Sequence, residues 1–176
     1  SDVYKRQEPS IHPSVFLASS AEVIGDVTIG RGSSVFYQSV LRGDINAIRI
    51  GEETNIQDGV IIHLSSELPT VVGDRVTCGH RAILHACTIG DECLIGMGAT
   101  VMDGARIGAR SIVAAGAVVL RDTQVPEGSL VAGCPAVVKR RLTQYEQNGL
   151  SHWAAKYVKV SAAHRGRVEG STAPRT

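Results

Sequence analysis

The sequence predicts an all-β solenoid, a parallel β-helix of six-residue units followed by a C-terminal α-helix. Three observations carry that prediction. An aliphatic residue returns about every sixth position from Leu17 to Val137, on beats such as Ile29, Val35, Leu41, Ile62, Leu84 and Val101. The residue two places earlier is nearly always small, as at Ser33, Ser39, Ala82, Cys87, Ala99 and Ala117. Aromatic residues make up only 4% of the chain, while glycine numbers 19. A short fixed period signals a repeat architecture, and hexapeptide repeats signal a β-helix. A narrow core filled by one aliphatic per strand needs few large side chains.

At the N-terminus, residues 1–10 read as a polar segment. It has no initiator Met and no apolar signal region, so it is expected to be a cloning scar or a fragment edge. The solenoid is expected over residues 11–141. In each unit the aliphatic and the small residue two before it point inward, because strand side chains alternate. Glycine follows the aliphatic at positions 30, 51, 73, 90, 96 and 108. It is expected there for the unusual dihedrals of a turning chain. Three units close one triangular coil. After Pro135 the beat fades, and residues 142–164 read as a helix packing along the solenoid. Thr143 and Glu146 have capping-box spacing, and Tyr145, Trp153 and Tyr157 are expected on one face. Residues 165–176 are rich in Gly, Ser, Arg and Pro and read as a disordered tail.

The length of 176 residues suits one domain with a tail. A net charge of +1 without a basic stripe argues against nucleic acid as a partner. No apolar run is long enough for a membrane span. The four cysteines form no CxxC pair. They read as buried thiols acting as small hydrophobes, which suits a reducing cytoplasmic setting.

The beat slips three times. Leu41 to Ile50 and Ile62 to Val72 are too long, Leu84 to Ile89 is short, and Ser65–Pro69 reads as a protruding loop. Insertions in a solenoid map to loops on one face, often the functional one. Grouping the beats by three puts Leu41, Ile62 and Leu84 in one column. The residues after them, Arg42, His63 and His85, then stack on one outer face, roughly 4.8 Å apart per coil. That spacing lets two imidazoles share a metal. Ile56 and Cys78 fall in a second column, which sets Asp58 one coil below His80 with Gln57 beside it. His80 therefore belongs to another side of the prism. It meets the His63–His85 pair only if a second subunit presents it, and a heterologous contact of that kind, repeated, closes a threefold ring. Three imidazoles and one open water position make a catalytic zinc arrangement. His12, His152 and His164 fall outside the register and read as ordinary surface or terminal residues.

The segments VLRGD (40–44), TNIQDG (54–59), IH (62–63) and VTCGHRAILHACTIGDECLIGMGATVMDGA (76–105) closely resemble the gamma-class carbonic anhydrase-like family. The resemblance runs from about Pro13 to Arg141. It implies a left-handed β-helix, a homotrimer, and zinc or another divalent ion (Fe2+ or Co2+) at each subunit interface. It implies His63, His80 and His85 as the ligands, with His80 contributed across the interface. Arg42 and Asp44 match an interface ion pair, whose role reads as architectural. Gln57 matches a residue that hydrogen-bonds near the metal-bound water, and Asp58 a carboxylate that orients a ligand. Asn55 matches a position near the site, where an asparagine is as easily structural. The implied reaction is a lyase reaction: metal-bound hydroxide hydrates carbon dioxide reversibly to bicarbonate. The best-known catalytic members carry a glutamate just after RGD and another in an acidic loop. Here Ile45 follows RGD, and the short loop LSSELP offers only Glu67 as proton shuttle. Two rivals share the fold: a hexapeptide acyltransferase using acyl-coenzyme A, and a non-catalytic, metal-stabilised structural trimer.

Overall fold

The computed structural model describes residues 7–170, with side chains described to residue 166. Residues 1–6 of the expected N-terminal segment and residues 171–176 of the expected tail lie outside it. Short parallel strands wind into a left-handed coil of about seven turns. They stack in three columns, which form three faces. The first face runs from Phe16–Leu17 through Ser34–Val35, Asn55–Ile56 and Thr77–Cys78 to Ser129–Gly133. The second face includes Ile61–His63, Ile83–His85, Thr100–Val101 and Val118–Val119. The third includes Thr70–Val72, Thr88–Ile89, Arg106–Ile107 and Gln124–Val125. The long strand Val40–Ile50 passes unbroken from the second face to the third, which accounts for the excess between Leu41 and Ile50.

The register is the one the beat predicts. Leu41 pairs with Ile62, Ile62 with Leu84, and Ile56 with Cys78. These aliphatics form one continuous buried cluster through the axis of the coil. The small inward residues do more than save space. Ser33, Ser39 and Thr54 each donate a hydroxyl, at 2.7 Å, to a carbonyl of the next coil. Among the described residues no buried side-chain polar atom lacks a partner, so burying these hydroxyls carries little penalty.

The glycines after the beat serve a different purpose from the expected one. The left-handed conformation falls two residues later, on Glu53, Arg75 and Glu92, with φ of 52°, 52° and 56°. The glycines lie where adjacent coils touch. A Cβ on Gly30 would meet the Gly51 carbonyl oxygen at 2.6 Å, and one on Gly90 the Ala109 nitrogen at 2.7 Å. Close stacking selects them, not backbone strain.

The two ends depart from the repeat. Leu17 is 40% exposed because the first coil has no neighbour beneath that face. Ser10–Ile11 already pairs with Thr28–Ile29, so the solenoid begins one residue inside the expected N-terminal segment. Val137 is no inward beat. The chain reverses after Gly133, Ala136–Arg141 returns antiparallel to Ser129–Gly133, and Val137 is 51% exposed.

The helix spans Gln144–Gly170. Its cap is the predicted box: Glu146 N–H donates to Thr143 Oγ1 at 3.2 Å, and Thr143 N–H to the Glu146 carboxylate at 2.8 Å. It covers the first face, with Leu150, Ala154 and Ser161 buried. Tyr145 is exposed, so the expected aromatic face reduces to Tyr157 and one side of Trp153; small residues let the helix lie close to the flat sheet. The helix continues past Arg165, where a disordered tail is expected. Tertiary contacts override composition there. The Arg165 guanidinium donates to the Ser14 carbonyl, and His164 packs between Phe16, Phe36 and Tyr37. His164 is thus a packing residue with a 2.9 Å hydrogen bond to the Tyr37 hydroxyl. Cys78, Cys87 and Cys93 are buried, and burial pushes the Cys87 and Cys93 thiols up to about 12. Cys134 is exposed, contrary to the expectation for all four. Among the described residues no helix is long and apolar enough to cross a membrane.

Candidate metal centre

His63 and His85 are direct register partners on the second face. Each follows an inward aliphatic, Ile62 or Leu84, so strand alternation turns both rings outward. His63 Nδ1 and His85 Nε2 lie 3.2 Å apart. The far nitrogen of each ring meets a carboxylate: His63 Nε2 is 3.0 Å from Asp44 Oδ1, and His85 Nδ1 is 2.7 Å from Asp103 Oδ1. Arg42 holds the other oxygen of Asp44 within the same chain. Arg42 and Asp44 thus pair within the chain, and the pair reaches His63 through the shared carboxylate.

His80 lies beyond the first-face strand Thr77–Cys78, at the corner leading to Ile83–His85. Its Nδ1 is 2.9 Å from Asp58 Oδ2, the carboxylate one coil below. Gln57 is buried, and its amide donates to Asn55 Oδ1 at 3.0 Å. Asn55 in turn donates to the Val76 carbonyl and the Thr77 hydroxyl. At 1% exposure its side chain is enclosed by its own chain. Gln57 and His80 line an apolar groove of about 380 Å³ with Met97, Trp153 and Tyr157. Among the described residues, no three His, Cys, Asp or Glu side chains of the one chain converge on a metal-sized point. One subunit thus brings together the His63–His85 pair with Asp44 and Asp103, and separately His80 with Asp58 and Gln57.

The two carboxylates beside the histidine pair are held in their charged form. Partial desolvation pushes the Asp44 carboxyl up, but hydrogen bonds from His63 and Arg42 outweigh it and leave the group below its ordinary value. Asp103 behaves likewise, with His85 and Arg121 outweighing desolvation. Both carboxylates are charged at neutral pH and accept ring N–H groups. In neutral rings that arrangement leaves the lone pairs on His63 Nδ1 and His85 Nε2, the two nitrogens that face each other. Two opposed lone pairs at this distance repel unless a proton or a cation lies between them. The donor set therefore fits a divalent metal, with carboxylates on the distal nitrogens of the kind that orient metal-ligating histidines.

Glu67 is exposed in the loop between Leu64 and Thr70, and Ser66 Oγ donates to it at 3.2 Å. Asn46 ties that loop down through the Ser65 and Ser66 carbonyls, and Thr70 donates to the His63 carbonyl. Two residues near the site were missed in the sequence. Asp103 was legible: Val101 pairs with Leu84, so the chain just past Val101 must return over His85. From the sequence Tyr157 reads as one of the helix aromatics. Burial raises its hydroxyl pKa, the Asp58 charge adds to this, and only the docked helix brings the two together.

Residues 86–121 match the pattern of the bacterial transferase hexapeptide family (six repeats). The chain is 43% identical over 164 residues to gamma carbonic anhydrase 2, mitochondrial, of Arabidopsis thaliana, covering 90% of this chain and 59% of that protein. It thus spans about six tenths of the length of that plant relative. It is 41% identical over 169 residues to a carbonic anhydrase of Geobacillus kaustophilus, covering 96% and 93% of the two chains. A Bacillus cereus protein, whose description proposes an acetyltransferase, superposes with a TM-score of 0.90 at 36% identity, covering 93% and 95%. With the hexapeptide coil, the stacked histidine pair and relatives of this identity over most of its length, the chain belongs to the gamma carbonic anhydrase-like family of hexapeptide-repeat proteins.

Proposed function

We propose that three copies of the chain form a ring in which His63 and His85 of one subunit and His80 of the next hold a divalent cation, and that this centre interconverts carbon dioxide and bicarbonate. Zinc is the first choice, with iron(II) and cobalt(II) also suited to three imidazoles. The observation that carries the proposal is the pair of facing ring nitrogens, His63 Nδ1 and His85 Nε2, 3.2 Å apart with their distal nitrogens on Asp44 and Asp103. The outer surface around the pair supports a partner subunit. Ile61 and Ile83 are register neighbours that lie exposed beside the pair, and Ile24 and Leu120 lie exposed further along the same face; exposed apolar surface of this kind suits an interaction site. The names of the relatives support the reaction class.

A cation held by three imidazoles supplies Lewis acidity that brings the pKa of its water to about 7. The chain's own groups do the remaining work. Asp44, Asp58 and Asp103 orient the imidazoles. Gln57, fixed by Asn55, presents a rigid amide beside His80, suited to hydrogen-bonding an oxygen of the substrate. Met97 and Trp153 keep the adjacent groove apolar, which favours uncharged carbon dioxide over water. Glu67, exposed in its loop, takes the released proton at its carboxylate and passes it to solvent. The buried thiols accord with a cytoplasmic setting.

A second reading, acyl transfer from acyl-coenzyme A, is favoured by the description of the Bacillus cereus neighbour. One experiment separates the two. Stopped-flow indicator assays on zinc-loaded and cobalt-loaded protein should show carbon dioxide hydration that a chelator abolishes, with no acetyl transfer from acetyl-coenzyme A. Acetyl transfer that survives the chelator would replace our reading. Full metal occupancy without hydration would leave a structural trimer.

A further inference from the structure

Asp103 lies at the end of the long segment 76–105 with no role assigned from the sequence, yet it makes the shortest carboxylate contact to any of the three histidines. Its Oδ1 lies 2.7 Å from His85 Nδ1, against 2.9 Å for the Asp58–His80 contact and 3.0 Å for the Asp44–His63 contact. The fold enforces this. Thr100–Val101 stacks on Ile83–Leu84, and Gly104 N–H donates to the Ala86 carbonyl at 2.8 Å, which pins the corner holding Asp103 over the ring. The other carboxylate oxygen lies 4.0 Å from the Arg121 guanidinium, too far for a hydrogen bond. The His85 ring is thus the principal partner of Asp103.

We infer that Asp103 is a positioning residue: it locks His85 in the Nδ1–H tautomer and thereby aims the Nε2 lone pair at the point shared with His63 Nδ1. The inference rests on the metal-centre reading above. The competing account is architectural, with Asp103 joining two coils through Arg121. Carboxylates that orient metal-ligating histidines are worth about 10–100-fold in metal affinity.

The test uses two readouts on the full-length, metal-free protein. Ring 15N–1H correlation spectra report the tautomer of His85. Competition with a chelating indicator reports zinc affinity. In the wild type His85 should carry its proton on Nδ1. In Asp103→Ala it should become a mixture of tautomers, with zinc affinity about 10–100-fold weaker. Asp103→Asn keeps the shape and one acceptor, guards against loss of folding, and should fall between the two. Arg121→Ala should leave both readouts at wild-type values. An unchanged tautomer and affinity in folded Asp103→Ala would overturn the inference, as would an Arg121→Ala variant that reproduces the loss. A wild type that takes up no zinc is a separate failure, because it overturns the metal-centre reading itself.

Discussion

The second and third faces of the coil have the same inside and opposite outsides. Inward, both present a ladder of aliphatics: Leu41, Ile62, Leu84 and Val101 on the second, Ile50, Val72, Ile89 and Ile107 on the third. Outward, the third face shows Thr28, Arg49, Thr88, Arg106 and Gln124 with the half-buried Val71 among them, and Arg49 satisfies its charge within the chain by a fork onto Asp26, at 2.6 and 3.0 Å. The second face shows isoleucines left exposed and two imidazoles whose near nitrogens have only each other. The interior maintains the coil and is indifferent to function. What sets the two faces apart is the outward half of each strand.

The comparison can be broken most sharply from inside. Leu84→Ala removes a side chain that is 0% exposed and should cost about 2–5 kcal/mol, because the narrow core cannot collapse around the cavity. Thr88→Ala, outward on the third face, should stay within about 0.5 kcal/mol. Urea midpoints on the two variants measure both, and equal losses would contradict the division between inside and outside.

From outside, the order reverses. Ile83→Lys puts a charge beside the histidine pair at a position already 40% exposed. It should leave the monomer folded by circular dichroism but should shift sedimentation from trimer to monomer and lower zinc affinity at least about tenfold, one partner's ligand being lost. Arg106→Glu on the third face should leave the sedimentation unchanged. A trimer disrupted by Arg106→Glu and not by Ile83→Lys would mean that the wrong face was chosen.

The helix-covered first face gives the smallest effect. Thr143→Ala should cost about 1 kcal/mol of stability through the lost cap. Hydrogen bonds from Arg140, then the Thr143 N–H, hold Glu146 down at about 2. A depressed carboxylate contributes above its unfolded value, near 4.5, and loses that contribution as pH falls through its folded value. The helical circular dichroism of wild type and Glu146→Gln should therefore differ near pH 5 and converge toward pH 2. Divergence on acidification would contradict the cap.

The same inside–outside division explains what could be read in advance. Inward positions repeat, so counting beats placed Leu41, Ile62 and Leu84 in one column and Ile56 with Cys78 in another, through three slips. From that register came the stacking of His63 on His85 and of His80 over Asp58. The rest lies where the repeat has no say. Val137 keeps the beat but faces out, because the chain reverses before it. The glycine ladder reflects contact between coils, which no single unit encodes. Tyr157 joins the site through a docked helix, and His164 joins an aromatic cluster 127 residues from Tyr37.

The central claim is that one cation centre draws histidines from two subunits. His63→Ala and His80→Ala, each unable to bind zinc alone, should regain binding when unfolded together and refolded as mixed trimers, because some interfaces then join an intact His63–His85 pair to an intact His80. Mixed trimers with demonstrated subunit exchange and no recovered zinc would contradict the account.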